Sequence, residues 1–263
     1  MSQNNLDFKC ALITGGGGGI GKAIAQYFLS KGKKVMICGR TEANLISTHQ
    51  ELGTAGYYVL DTGDITKIPD FIRRLTTEHP DLDCLVNNAG VQRPLQVLRD
   101  DPAELLAKAD NEIDINIRGP MHLAVGLLEH LRARPGGALI INVSSVLGFV
   151  PFNIINPVYN ATKAWLHSWS MALRVQLRDT NVRVVEIAPP QVGTDLHRER
   201  EDPDDNKKHK NPTSLELDEF MEEVAAKLER GEETFTAGPS QAVLDKWYES
   251  FGEKFEGATK NWK

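Results

Sequence analysis

Six short apolar runs recur along the chain, at residues 10–14, 34–38, 57–60, 82–87, 137–143 and 182–188, with stretches of helical spacing between them. Strands that alternate with helices imply right-handed crossovers and a parallel sheet covered on both faces. The predicted fold is therefore α/β, a doubly wound parallel sheet. No repeat, low-complexity tract or boundary breaks the alternation, so one domain is expected over residues 1–263. Ligands of such sheets lie beyond the carboxyl ends of the strands, which makes the residues after each run the candidates for function.

Two helical patterns carry further information. Trp165, Leu166, Trp169, Ala172, Leu173 and Leu177 form an apolar stripe that begins near Tyr159 and Lys163, and these two, four apart, share one helix face. A fixed ammonium beside a phenol favours the phenolate, so the pair suits proton exchange with a substrate oxygen. Spacing alone fits a solvated Tyr and Lys equally well. Leu217, Phe220, Met221, Val224 and Leu228 are also helically spaced and read as core rather than pocket.

Composition narrows the function classes. With 41% apolar and 25% charged residues the chain is globular, and a formal charge of -6 disfavours nucleic-acid or membrane surfaces. No apolar run reaches the length of a membrane span, and residues 1–9 lack a secretory pattern. Cys10, Cys38 and Cys84 are too scattered for a disulfide framework or a zinc site, so no metal is expected, the three read as buried thiols, and a cytoplasmic home follows.

The candidate chemistry follows the runs. After the first comes Thr14-Gly15-Gly16-Gly17-Gly18-Gly19-Ile20-Gly21, then Ile24, Ala25, Phe28 and Leu29 at helical spacing. Gly15, Gly19, Ile20 and Gly21 thus stand between a strand and a helix N-terminus, where backbone N–H groups and the helix dipole favour a pyrophosphate. The competing reading is a flexible linker. The second run ends in Gly39-Arg40, without the acidic residue that would grip the ribose 2'-hydroxyl of NAD. Arg40 offers a fork for a 2'-phosphate instead, so NADP(H) is favoured over NAD(H). A solvated arginine is the alternative.

Asp64 and Ile65, after the third run, are candidates for the adenine, with a helix cap as the alternative for Asp64. Asn87 and Ala89, in Asn87-Asn88-Ala89-Gly90, are candidates for the cofactor ribose, although the amides also suit a structural role. Asn116 is a polar residue inside an apolar helical stretch and a candidate holder of water. Ser145 follows the fifth run, 14 residues before Tyr159, and its hydroxyl suits a substrate carbonyl. No Gly-x-Ser-x-Gly and no activating His and acid accompany it, which speaks against a hydrolase.

In order and at family-like intervals, Thr14-Gly15-x-x-x-Gly19-Ile20-Gly21, Asn87-Asn88-Ala89-Gly90, Asn116, Ser145 and Tyr159-x-x-x-Lys163 resemble the short-chain dehydrogenase/reductase family from Lys9 to about Leu196. Residues 37–40, 90–93, 149–151 and 188–190 resemble its DltE-like subgroup. The resemblance implies a Rossmann-like domain and hydride transfer between NADP(H) and a carbonyl or alcohol. It makes Tyr159 the general acid, Ser145 the carbonyl holder and Lys163 the group that lowers the Tyr159 pKa and holds the nicotinamide ribose. Asn116 then supports a relay water, and Val192 and Thr194 meet the nicotinamide amide. Pro189-Pro190 stands where the family usually has Pro-Gly. Ser145, Phe149 and Tyr159 are expected at the substrate, a small molecule of otherwise illegible identity. A non-catalytic NADP(H) sensor and a sugar-nucleotide epimerase are the competitors. The first has no need of Ser145, Tyr159 and Lys163 together, and the second usually has a tighter glycine loop and a longer C-terminal region.

Residues 197–212 are highly charged and poor in apolar side chains, which predicts a mobile, lid-like segment. The tail, residues 240–263, carries Trp247, Tyr248, Phe251, Phe255 and Trp262. Such density suits anchors in a homodimer or homotetramer, or packing within the same subunit.

Overall fold

A computed structural model describes residues 4–262. The strands are β1 (Cys10–Thr14), β2 (Lys34–Gly39), β3 (Gly56–Val59), β4 (Cys84–Asn87), β5 (Ala138–Val143), β6 (Val182–Ile187) and β7 (Thr234–Phe235). They form one parallel sheet in the order β3-β2-β1-β4-β5-β6-β7. The order reverses between β1 and β4, and the carboxyl ends of these two strands border a crevice. All six predicted runs are strands. The seventh, of two residues, is too short to leave a pattern and is added at the β6 edge by Glu186 and Ala188 N–H groups.

Alternation along β1 divides the core. Ala11 and Ile13 join Ile24 and Phe28 of α1 (Gly19–Ser30) and Phe220 and Val224 of α7 (Leu217–Glu229). Cys10 and Leu12 face the other way, onto Leu75 of α3 (Ile68–Glu78), Leu127 of α5 (Gly119–Arg132) and Leu173 and Leu177 of α6 (Pro157–Leu177). Each fully buried Leu, Ile or Phe contributes roughly 1.5–3 kcal/mol, so these two layers fix the sheet and hence the crevice above it. The cysteines are buried and free, and burial pushes the Cys38 thiol up to about 12, far from a reactive thiolate.

The remaining helices are α2 (Glu42–Leu52), α4 (Pro102–Ile113) and α8 (Gln241–Thr259). A π turn, Asp114–Arg118, joins α4 to α5. Helix α8 contains most of the aromatic tail. Its Trp247 packs edge-on against Phe149 and His167, at centroid distances of 5.6 and 4.7 Å, so this anchor serves its own chain, while Phe251 and Trp262 stay exposed.

Candidate active site

The crevice at the switch point has a volume of about 470 Å3 and runs from Gly39 and Arg40 to Ser145, Tyr159 and Lys163. Its floor is the glycine loop. Gly15 has φ 66°, a left-handed conformation that side chains resist. At Gly21 a Cβ would lie 2.4 Å from both the Gly15 carbonyl and Asn88 Nδ2, so the loop closes onto the helix only with glycine there. Helix α1 starts without a side-chain cap and without an acidic residue in its first turn, leaving its N–H groups to an anion. A glycine cradle with no Cβ to fill it and an uncapped positive helix end fit the pyrophosphate of a dinucleotide.

Tyr159 occupies the first turn of α6 and Lys163 the next, both buried on the crevice wall. Lys163 Nζ lies 5.5 Å from the centre of the Tyr159 ring and donates to the Val143 carbonyl at 2.8 Å. Ser145, just past β5, accepts from Leu147 N at 3.2 Å, which aims its hydroxyl along the same wall. The expected lowering of the Tyr159 pKa by Lys163 is not found. Burial holds the phenol above its ordinary value, and only the Ser145 hydroxyl and the Arg200 charge pull it down. Burial also lowers Lys163 to about 8. Ser144 is no nucleophile, because its hydroxyl donates to Glu186 Oε1 at 2.5 Å while His167 binds the other oxygen of that carboxylate.

Gly15, Gly19, Ile20, Arg40, Ala89, Val192 and Thr194 all line the crevice, together with Asn88 and Pro190. Gly21 lies just beneath the wall. Four candidates sit elsewhere. Asp64 and Ile65 are off the wall, because the chain turns back at Asp61–Asp64 and leaves Leu60 and Thr62 facing the crevice. The Asp64 carboxylate takes the Thr66 hydroxyl at 2.6 Å and Lys67 Nζ at 2.9 Å, and Ile65 packs on the core. Asn87 is buried in the sheet, donating to Asn142 Oδ1 at 3.0 Å. Phe149, past the 3-10 turn Val146–Gly148, is carried off the wall and stacks 4.0 Å from His167, so its place does not match a substrate contact.

Asn116 is buried in the π turn, and its amide clasps the Val91 backbone at 2.9 Å in both directions while also donating to Thr162 Oγ1 at 3.1 Å. With both Nδ2 protons engaged, a water held here would fall to the backbone, and π turns are where such carbonyls come free. Glu112 and Arg200 were not singled out in the sequence. Their signal was weak: one carboxylate a turn before Asn116, one arginine among many charges.

Hydrogen bonds join residues 197–212 to the crevice rim and to one another. Arg200 Nη2 donates to Gln92 Oε1 and Asn156 Oδ1, each at 2.7 Å, and its Nη1 to Asp205 at 2.6 Å. Asn206 Nδ2 reaches the Val192 and Thr194 carbonyls at 3.0 and 2.9 Å. Composition concealed that these charges pair with one another and with the crevice rim.

The sequence pattern of short chain dehydrogenases matches residues 9–205. The chain belongs to the short-chain dehydrogenase family. Within this family it is similar to the "Uncharacterized oxidoreductase DltE" of Bacillus subtilis (strain 168), 36% identical over 93% of this chain and 94% of that one. It is 34% identical to the NADP-dependent 3-hydroxy acid dehydrogenase YdfG of Escherichia coli (strain K12), over 81% of this chain and 86% of that one. Among solved structures, a 3-ketoacyl-(acyl-carrier-protein) reductase from Brucella melitensis complexed with NADH superposes with a TM-score of 0.73 at 28% identity, covering 87% of this chain and 95% of that one. This short-chain dehydrogenase is thus a nicotinamide-cofactor oxidoreductase. None of its described helices is long and apolar enough to cross a membrane.

Proposed function

We propose that the protein interconverts a small carbonyl compound and its alcohol with NADP(H), in the cytoplasm and as a homo-oligomer. The observation that carries this reading is the convergence of Ser145, Tyr159 and Lys163 on one wall of the crevice floored by the glycine loop. The bound nicotinamide supplies or accepts the hydride. The rest is the work of this chain. Gly15, Gly19 and the N-terminus of α1 hold the pyrophosphate, Lys163 the nicotinamide ribose, and Val192 and Thr194 the nicotinamide amide. Ser145 donates to the substrate oxygen and fixes its carbon near the reacting ring, and Tyr159 delivers the proton. Burial keeps the phenol protonated at neutral pH, which suits the direction of reduction. In alcohol oxidation Tyr159 must first release that proton, a step that burial opposes and that the Ser145 hydroxyl and the Arg200 charge ease.

NADP(H) is preferred over NAD(H) because Arg40 stands at the adenine end of the crevice with no acidic residue at the end of β2. The NADP dependence printed for the E. coli relative supports this, and its 3-hydroxy acids extend the class of candidate substrates. The deciding experiment is Tyr159→Phe. NADPH oxidation against a panel of ketones, aldehydes and oxo acids is expected to fall by about 100-fold or more while NADPH binding, read by fluorescence, persists. Near-normal kcat in the variant rules the mechanism out.

A further inference from the structure

Glu112 lies at the end of α4 with no exposure to solvent; the Arg93 backbone N–H approaches its carboxyl, and no side chain among the described residues hydrogen-bonds it. It lies one turn before Asn116 and so faces the same loop, which carries Val91 and Arg93 past the active site. That loop is thin where it meets the reacting groups. A Cβ at Gly90 would stand 3.3 Å from Asn116 Oδ1 and 3.6 Å from Lys163 Nζ. Three more buried atoms lack partners close by: Arg93 Nη1, Arg200 Nε and Asn156 Nδ2. The hydrogen bonds from Arg200 to Gln92 and Asn156, and the Arg93–Glu199 ion pair, gather them into one place. Buried polar groups without protein partners are satisfied by ordered water, so water beside the Glu112 carboxyl and these donors would complete their hydrogen bonds.

We propose that Glu112 is a positioning acid behind Tyr159 that returns, through ordered water and Lys163, the proton Tyr159 gives to the substrate oxygen. The proposal rests on the carbonyl reductase reading. In reduction the phenolic proton moves to the substrate oxygen as carbon receives hydride from the reduced nicotinamide. The Lys163 ammonium reprotonates the phenolate, the Glu112 carboxyl reprotonates the Lys163 amine through water, and the Glu112 carboxylate takes a proton from solvent through water. One proton enters for each hydride consumed, and all three side chains end as they began. Glu112 is faced by Arg93 and Glu199 from the two loops and by Lys163 and Tyr159 from α6, while Arg200 bears on Tyr159. Burial raises Glu112 to about 8 and lowers Lys163 to about 8, so a proton passes between them at little cost.

Glu112→Gln keeps the shape and removes the proton. In the wild-type apoprotein, infrared spectroscopy is expected to show a buried protonated carboxyl band that disappears as pH rises through about 8 and is missing from the variant. In NADPH-dependent reduction the variant is expected to lose about tenfold in kcat and the limb of the kcat/KM profile near pH 8, with NADPH affinity unchanged and the fold no less stable than the native one. Glu112→Asp, which keeps a carboxyl, is expected to retain that limb. A missing band, an unchanged profile, or a rise in KM alone with the profile unmoved overturns the proposal. A wild-type protein that reduces no carbonyl compound sinks the reductase reading itself, whereas a working enzyme indifferent to Glu112→Gln sinks only the relay.

Discussion

At the scale of single residues the decisive feature is where charge is denied or supplied. Tyr159 and Lys163 are both buried, and burial disfavours whichever form is charged, so the phenol moves up and the ammonium down, away from each other. The phenolate is thereby the stronger base of the two, so a Lys163 ammonium returns a proton to it downhill. Arg40 shows the opposite economy. It is exposed at the crevice mouth, where a guanidinium fork costs little to keep and meets a 2'-phosphate bidentately. Removing it deletes charge-assisted hydrogen bonds worth about 1.5–3 kcal/mol. Arg40→Ala is therefore expected to weaken NADPH by roughly 10- to 100-fold and NADH by far less, measured as dissociation constants for both cofactors. An equal loss for both would remove the cofactor preference.

At the scale of elements, Arg200 ties the segment after β6 to two distant parts of the chain. Arg200 joins it to Gln92, after β4, and to Asn156, before α6, and its planar fork serves three acceptors at once. A lysine carries the charge but not the fork. Arg200→Ala and Arg200→Lys are both expected to release residues 197–212, seen as faster limited proteolysis within the segment and a several-fold rise in KM. Protection equal to that of the native protein in either variant would show that Arg200 does not hold the segment. The same element shows what a sequence discloses. The strands of the sheet and the Tyr159–Lys163 face were legible because periods of two and of 3.6 residues are local properties. The fastening of Arg200 was not, since its acceptors lie 44 and 108 residues away and hydrogen-bond partners at such range leave no periodic mark. Asp64 failed for a related reason: a single turn at Asp61–Asp64 decided which side chain met the crevice, and composition does not record where a chain turns.

At the scale of the whole molecule, one buried carboxyl ties stability to pH. Glu112 ionises at about 4.5 in an unfolded chain and at about 8 in the fold. Between these values the native state binds the extra proton, so stability falls as pH rises. The contribution is fully present below about 4.5 and lost by about 8, with each unit of difference worth about 1.4 kcal/mol at most. Lys163 runs the other way above that point. Its folded value of about 8 lies below the ordinary 10.5, so the unfolded chain binds more protons there and stability is regained as pH rises toward 10.5. Other groups titrate too, and the comparison that isolates Glu112 is the native protein against Glu112→Gln. Near pH 4.5 the two carry the same charge at this position and are expected to unfold in denaturant with similar midpoints. As pH rises to 8 the variant is expected to gain steadily on the native protein, by about 2–4 kcal/mol, and then hold that gain. A difference that stays constant across this range would mean that Glu112 keeps an ordinary pKa, and that water or structural relaxation already solvates its charge.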